Sequence, residues 1–171
     1  DRKINLEDFI GFIAQKLKSK ETVNLNFICT HNSRRSHFSQ IWAQTIAEFL
    51  AIENINSFSG GTEATAVYPS VLNAFQNIGF AVGRLSENEN PVSFLKYAND
   101  APPIVCFSKV YDHPFNPKTN FAAVMTCSQA NEACPFVPAA EARLSFTFEG
   151  PKISDGTPRE LEKYQEKSKE I

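Results

Sequence analysis

The chain has 171 residues, 42% of them hydrophobic, with a formal charge of −2 at pH 7. That length supplies one substantial core, so residues 1–171 are expected to form a single domain, and the near-neutral balance gives no reason to expect nucleic acid or a membrane surface as partner. No run approaches the ~20 apolar residues that span a bilayer, the start lacks a signal-peptide pattern, and the four cysteines point to reactive or buried thiols in a cytoplasmic protein rather than to a disulfide scaffold.

In chain order, Asn5 is expected to cap a first helix with Leu6, Phe9, Ile10, Ile13 and Leu17 on one face and Lys16, Lys18 and Lys20 at its end. Packing that face onto the core is its plain reading; a partner surface is the alternative. Val23, Leu25, Phe27 and Ile28 then form a short apolar run, as in a buried strand, which ends at Cys29. A polar loop runs from Thr30 through His31, Asn32 and Ser33 to Arg34. Arg35 and Ser36 open the run Phe38, Ile41, Trp42, Thr45, Ile46, Phe49 and Leu50, which has the i, i+3, i+4 spacing of a helix.

A loop of that length between a strand end and a helix start can aim successive backbone N–H groups inward as a concave nest. The helix N-terminus adds about half a positive charge, and Arg35 supplies a planar fork for two oxygens of a tetrahedral oxyanion. The same field favours the thiolate of Cys29, to which Ser36 can donate. The residues therefore predict a site in which Thr30, His31, Asn32, Ser33, Arg34 and Arg35 surround a phosphate-like anion and Cys29 attacks it. A packed structural cysteine at a strand end is the other reading.

Residues 55–59 read as a strand ending at Gly60-Gly61-Thr62, where paired glycines permit positive φ and close backbone approach. Pro69 suits the first turn of a helix carrying Val71, Leu72, Phe75 and Ile78 and stopped by Gly79. Residues 92–97 and 104–111 are both strand-like and predict a hairpin or edge pair. Cys106 lies inside the second as a packed, inert thiol, and His113 comes next in a loop, either solvated or near the site. Residues 121–126 form the next buried strand, with Cys127 at its end. Residues 143–148 make a last short strand, Glu149-Gly150-Pro151 a turn, and 158–171 a polar helix. Strands alternating with helices predict an α/β fold, a three-layer α/β/α sandwich around a mostly parallel sheet, with ligands at the strand carboxyl ends. Cys29 and Cys127 both fall at such ends.

The run Cys29-Thr30-x-Asn32-Ser33-x-Arg35-Ser36 resembles the signature loop of low-molecular-weight protein tyrosine phosphatases and of the thioredoxin-coupled arsenate reductases that share their fold. It departs where the family usually has Gly, at His31, and where many members have Cys, at Arg34. His31 is then expected at the pocket rim, with Arg34 as a second positive charge beside the thiol. The resemblance spans roughly 24–155, so the helix over 1–20 and the segment 91–118 read as additions to that core. The pattern Cys127-x6-Cys134-Pro135 resembles the redox segment of the reductases. Zinc is a rival use of clustered cysteines, but this gap with no histidine nearby fits it poorly; two unrelated buried cysteines are another.

What the resemblance implies is reduction of arsenate to arsenite. Cys29 attacks the oxyanion, Cys127 attacks Cys29 in the adduct, and Cys134 moves the disulfide to Cys127–Cys134 for a thioredoxin-like reductant, with no cofactor and no metal. The family's acidic loop ends Asp-Pro, and in phosphatases that Asp protonates the leaving group. Here Gly150 precedes Pro151, so Glu149 is the candidate substitute acid. A phosphatase acting through a phosphocysteine is one alternative; a weak oxyanion-binding or redox-sensing protein is another.

Overall fold

The computed structural model describes residues 2–171, and Asp1 lies outside them. The first part runs α1 (Arg2–Lys18), β1 (Val23–Cys29), α2 (Arg35–Phe49), β2 (Ile55–Gly61) and α3 (Pro69–Asn77). Three short strands come next, β3 (Ala81–Arg84), β4 (Ser93–Lys96) and β5 (Ile104–Cys106), and then β6 (Phe121–Met125), α4 (Ser128–Ala133) and β7 (Ala140–Ser145). A 3₁₀ turn over Pro151–Ser154 leads to α5 (Glu160–Glu170). No helix among the described residues is long and apolar enough to cross a membrane.

The central sheet has the order β2-β1-β6-β7 and is parallel throughout. Parallel strands need covering on both faces, which explains why β1 and β6 are almost wholly buried. On one face Val23, Leu25, Phe27, Val124 and Leu144 pack under α1 and Ala43 of α2; on the other Ile28, Ala123 and Met125 pack with Ala130 of α4. A third apolar cluster joins α2, α3 and α5 to the antiparallel sheet β3-β4-β5. The expected α/β architecture and hairpin are therefore present, the hairpin as part of a three-stranded sheet.

Four expectations need correction. Asn5 is inside α1 rather than at its cap; its Nδ2 donates to Ser145 O at 2.7 Å and ties the helix to β7. The packed face of α1 is Phe9, Phe12, Ile13 and Leu17, whereas Leu6 and Ile10 are about half exposed. The strand expected over 104–111 stops at Cys106, because Lys109 turns into the interior and Val110 bridges to Gly61 instead. The last strand begins at Ala140, three residues early. Phe146 N–H and Phe148 N–H still donate to Met125 O (2.9 Å) and Thr126 O (3.1 Å), so the segment beyond it stays tied to β6.

Candidate active site

The carboxyl end of β1 delivers Cys29 to the edge of the sheet, and β2 shapes the loop beyond that cysteine. A Cβ on Gly61 would lie 2.2 Å from Glu63 O and 2.7 Å from both Asn32 N and Thr30 O, so only glycine lets the loop pass. Thr62 N–H donates to Cys29 O at 3.1 Å and Glu63 N–H to Thr30 O at 2.8 Å. Within the loop Asn32 takes φ +43°, a left-handed conformation that Asn adopts more readily than most residues. Its Nδ2 donates to Ser36 Oγ at 2.8 Å, and Ser36 Oγ lies 3.1 Å from Cys29 Sγ.

These elements enclose a cleft of about 240 Å³ lined by Cys29, Thr30, His31, Ser33, Arg34 and Arg35 from the loop, Gln129 from α4, and Gly150 and Lys152. His31 is at the exposed rim. Asn32 is buried outside the lining and braces the loop instead of facing the cleft. Arg35 Nη1 donates to Phe148 O at 2.9 Å. A Cβ on Gly150 would lie 3.4 Å from Arg35 Cζ, an ordinary contact, whereas Glu149 is exposed and lines no part of the cleft. A larger hollow of about 340 Å³ lies between α1, α2 and the sheet, is almost wholly apolar, and reaches none of the cysteines.

Cys127 ends the β6 segment and caps α4: its Sγ accepts from Ala130 N at 3.4 Å and lies 3.4 Å from Thr30 Oγ1. Cys29 and Cys127 belong to one apolar cluster, and Cys134, half-buried at the far end of α4, packs against its edge. All four cysteines are free. Cys106 is in a separate core, where burial pushes its thiol up to about 12, as suits an inert packed side chain. His113 packs edge-on against Phe107 and lines no part of the cleft.

No protein-family model matches the chain. The arsenate reductase of Halalkalibacterium halodurans is 25% identical over 134 residues, 78% of each chain. That of Staphylococcus aureus is 26% identical over 125 residues, 73% of this chain and 76% of its own. Among solved structures, the low-molecular-weight protein tyrosine phosphatase from T. tengcongensis matches with a TM-score of 0.57 at 13% identity, over 87% of this chain and 92% of its own. One from Vibrio cholerae matches at 0.56 and 14%, over 85% and 86%. The chain has the low-molecular-weight phosphatase fold and is a relative of bacterial arsenate reductases.

In this reductase relative Arg34 is not the free second cation expected beside the thiol. Its guanidinium is paired with Asp155, donates from Nε to Tyr164 Oη at 2.5 Å, and stacks 4.0 Å from the centre of the Tyr68 ring. It anchors the loop to the C-terminal segment, with its charge largely offset. Residues that the motif did not reveal are Gln129 and Lys152 on the cleft wall and Arg143 behind α4. Arg143 donates from Nε to Cys134 O at 3.0 Å and from Nη2 to Asn131 O at 2.6 Å, holding the carbonyl end of that helix. Only Lys152, directly after the Gly150-Pro151 turn, had a sequence cue for its place.

Proposed function

We propose that the chain is an arsenate reductase of the three-thiol type. Cys29 as thiolate attacks the arsenic of arsenate held by the loop and Arg35, and an arsenic oxygen leaves as water with protons from solvent. Cys127 as thiolate then attacks Cys29 Sγ. The electron pair of the sulfur–arsenic bond stays on arsenic, arsenite departs, and a Cys29–Cys127 disulfide remains. Cys134 as thiolate attacks Cys127 Sγ and releases Cys29, and the Cys127–Cys134 disulfide takes two electrons from a thioredoxin-like dithiol. Such a cycle needs a reducing compartment, the cytoplasm. The exposed Phe136 beside Cys134 gives a reductant an apolar foothold, being 74% accessible even in the reduced state.

The observation that carries this reading is the contact between Thr30 Oγ1 and Cys127 Sγ at 3.4 Å, which brings a second thiol beside the residue after Cys29. A phosphatase needs no such thiol. The glycine at 150 also favours the reductase, because an ester's leaving oxygen requires a proton and general-acid help is typically worth ~10²–10⁴ in rate. A cleft lined by Cys29, its loop and Arg35, in a fold shared with phosphatases, keeps phosphate-monoester hydrolysis as the second reading.

One experiment separates the two. The protein is incubated with arsenate, thioredoxin, thioredoxin reductase and NADPH, beside a parallel incubation with p-nitrophenyl phosphate. The expected outcome is arsenate-dependent NADPH loss with little p-nitrophenol, abolished by Cys29→Ser, Cys127→Ser or Cys134→Ser. Ester hydrolysis that survives Cys127→Ser, with no NADPH loss, overturns the reductase in favour of the phosphatase.

A further inference from the structure

Lys109 lies in the segment leaving β5 and is only 2% exposed. A buried ammonium ordinarily has a carboxylate beside it, yet Lys109 takes part in none of the ion pairs among the described residues. Its Nζ donates to Phe107 O at 3.2 Å and to Ser59 Oγ at 3.4 Å, and lies 4.4 Å from the centre of the Phe107 ring. Burial pulls the ammonium down to about 8, which leaves it charged at neutral pH.

Two hydrogen-bonded chains run from this residue into the loop. In the first, Lys109 N–H donates to Asn32 Oδ1 at 2.9 Å, and Asn32 Nδ2 donates to Ser36 Oγ, the neighbour of Cys29 Sγ. In the second, the ammonium can only donate, so Ser59 Oγ accepts from it and its O–H donates a hydrogen bond to His37 Nδ1 at 3.3 Å. His37 Nε2–H then donates to Asn32 O at 3.0 Å. His37 is fully buried, and burial together with the Lys109 charge pushes it down to about 3, so the ring stays neutral with its single proton on Nε2. The first chain passes through Asn32 and the second ends on it; Asn32 is the loop residue at positive φ, a conformation that persists where its surroundings over-determine it.

An uncompensated buried charge is a poor device for stability, since a methionine fills nearly the same space without the desolvation cost. The two chains that leave it lead into the loop that holds Cys29 and Arg35. We propose that the Lys109 ammonium is a positioning residue, a cation built in beneath the loop that orders Asn32 and strengthens the hold of the Cys29–Arg35 loop on a tetrahedral oxyanion. This rests on the oxyanion reading of that loop.

Lys109→Met removes the charge and the two bonds its ammonium donates, to Ser59 and Phe107, but keeps the first chain, because the bond to Asn32 Oδ1 uses the Lys109 main chain. The measurements are the thermal unfolding midpoint and the protection of Cys29 from iodoacetamide at pH 7 by inorganic phosphate or arsenate. The expected result is an opposed pair: the midpoint rises, while the anion concentration giving half-protection increases about tenfold, as for a partly screened buried charge. Unchanged protection overturns the proposal. So does a variant that is less stable or fails to fold, which makes Lys109 an anchor of the fold instead. Absence of protection in the parent protein is a different failure: it removes the oxyanion site itself, and with it this role for Lys109.

Discussion

Thr30 Oγ1 lies 3.4 Å from Cys127 Sγ, so the residue next to one expected redox thiol touches the second. A hydroxyl at that distance can donate to the Cys127 thiolate and aim it along the loop towards Cys29. Thr30→Val keeps the shape and removes the donor. Single-turnover formation of the Cys29–Cys127 disulfide is expected to slow about fivefold, the worth of one ordinary hydrogen bond of ~1 kcal/mol, with phosphate protection of Cys29 unaltered. An equal loss in both measurements shows that Thr30 serves the anion rather than the thiol exchange.

Gly150 and Glu149 divide the question of the missing acid. Gly150 has an ordinary extended conformation, φ −79° and ψ 147°, and a Cβ there meets Arg35 at normal contact distance. An aspartate is therefore accommodated beside the cleft. Gly150→Asp is expected to raise hydrolysis of phenyl phosphate, a substrate with a poor leaving group, by about 10². Glu149→Gln is expected to change it by less than about twofold, since Glu149 faces solvent; the sequence-based expectation of a substitute acid survives only if the amide abolishes turnover.

Arg143 sets how readily α4 opens. Cys127 and Cys134 flank a helix over Ser128–Ala133, and seven positions of helix correspond to a rise of about 10.5 Å, whereas a disulfide tolerates about 7 Å between Cα atoms. The bridge therefore requires unwinding, and so short a helix is marginal by itself. Arg143→Ala releases the clamp on Asn131 and Cys134. Amide exchange over 128–134 is expected to quicken about tenfold in the reduced protein, and Cys127–Cys134 disulfide formation to speed up with it. Peptide mapping after one arsenate turnover without reductant reads the bridge directly, and free thiols at both positions rule out the cascade.

His37 predicts an acid limit to stability. Burial, aided by the Lys109 charge, lowers it from its ordinary 6.5 to about 3, so the unfolded chain binds a proton that the native protein refuses between those values. Stability is then lost as pH falls below 6.5, by about 2 kcal/mol on reaching pH 5. His37→Gln removes the titration while keeping a hydrogen-bonding side chain. The decline of the unfolding midpoint between pH 6.5 and 5 is expected to flatten in that variant; an unchanged slope assigns the acid sensitivity to other groups.

The sequence by itself determined the parts of this protein that depend on neighbours along the chain. The apolar run of β1, the polar loop and the helix after it are contiguous, so their order already implied a strand–loop–helix nest with Cys29 and Arg35 at its ends, and the alternation of such units implied a parallel sheet with both cysteine-bearing strand ends on one edge. Pro69 and Gly79 marked the limits of α3 because their effects are local. Tertiary structure decided where long side chains went. Arg34 looked like a free cation until Asp155 and Tyr164, more than a hundred positions away, folded onto it. Lys109 read as part of a strand, yet it is buried because Ser59 and the Phe107 carbonyl and ring surround it. Gly150 and not Glu149 faces Arg35 because the segment beyond β7 stays bonded to β6 and turns only at Pro151. Charge and hydrogen-bonding capacity are written in residue type, but which partner satisfies them is a property of surfaces that meet only once the sheet and its covering helices have packed.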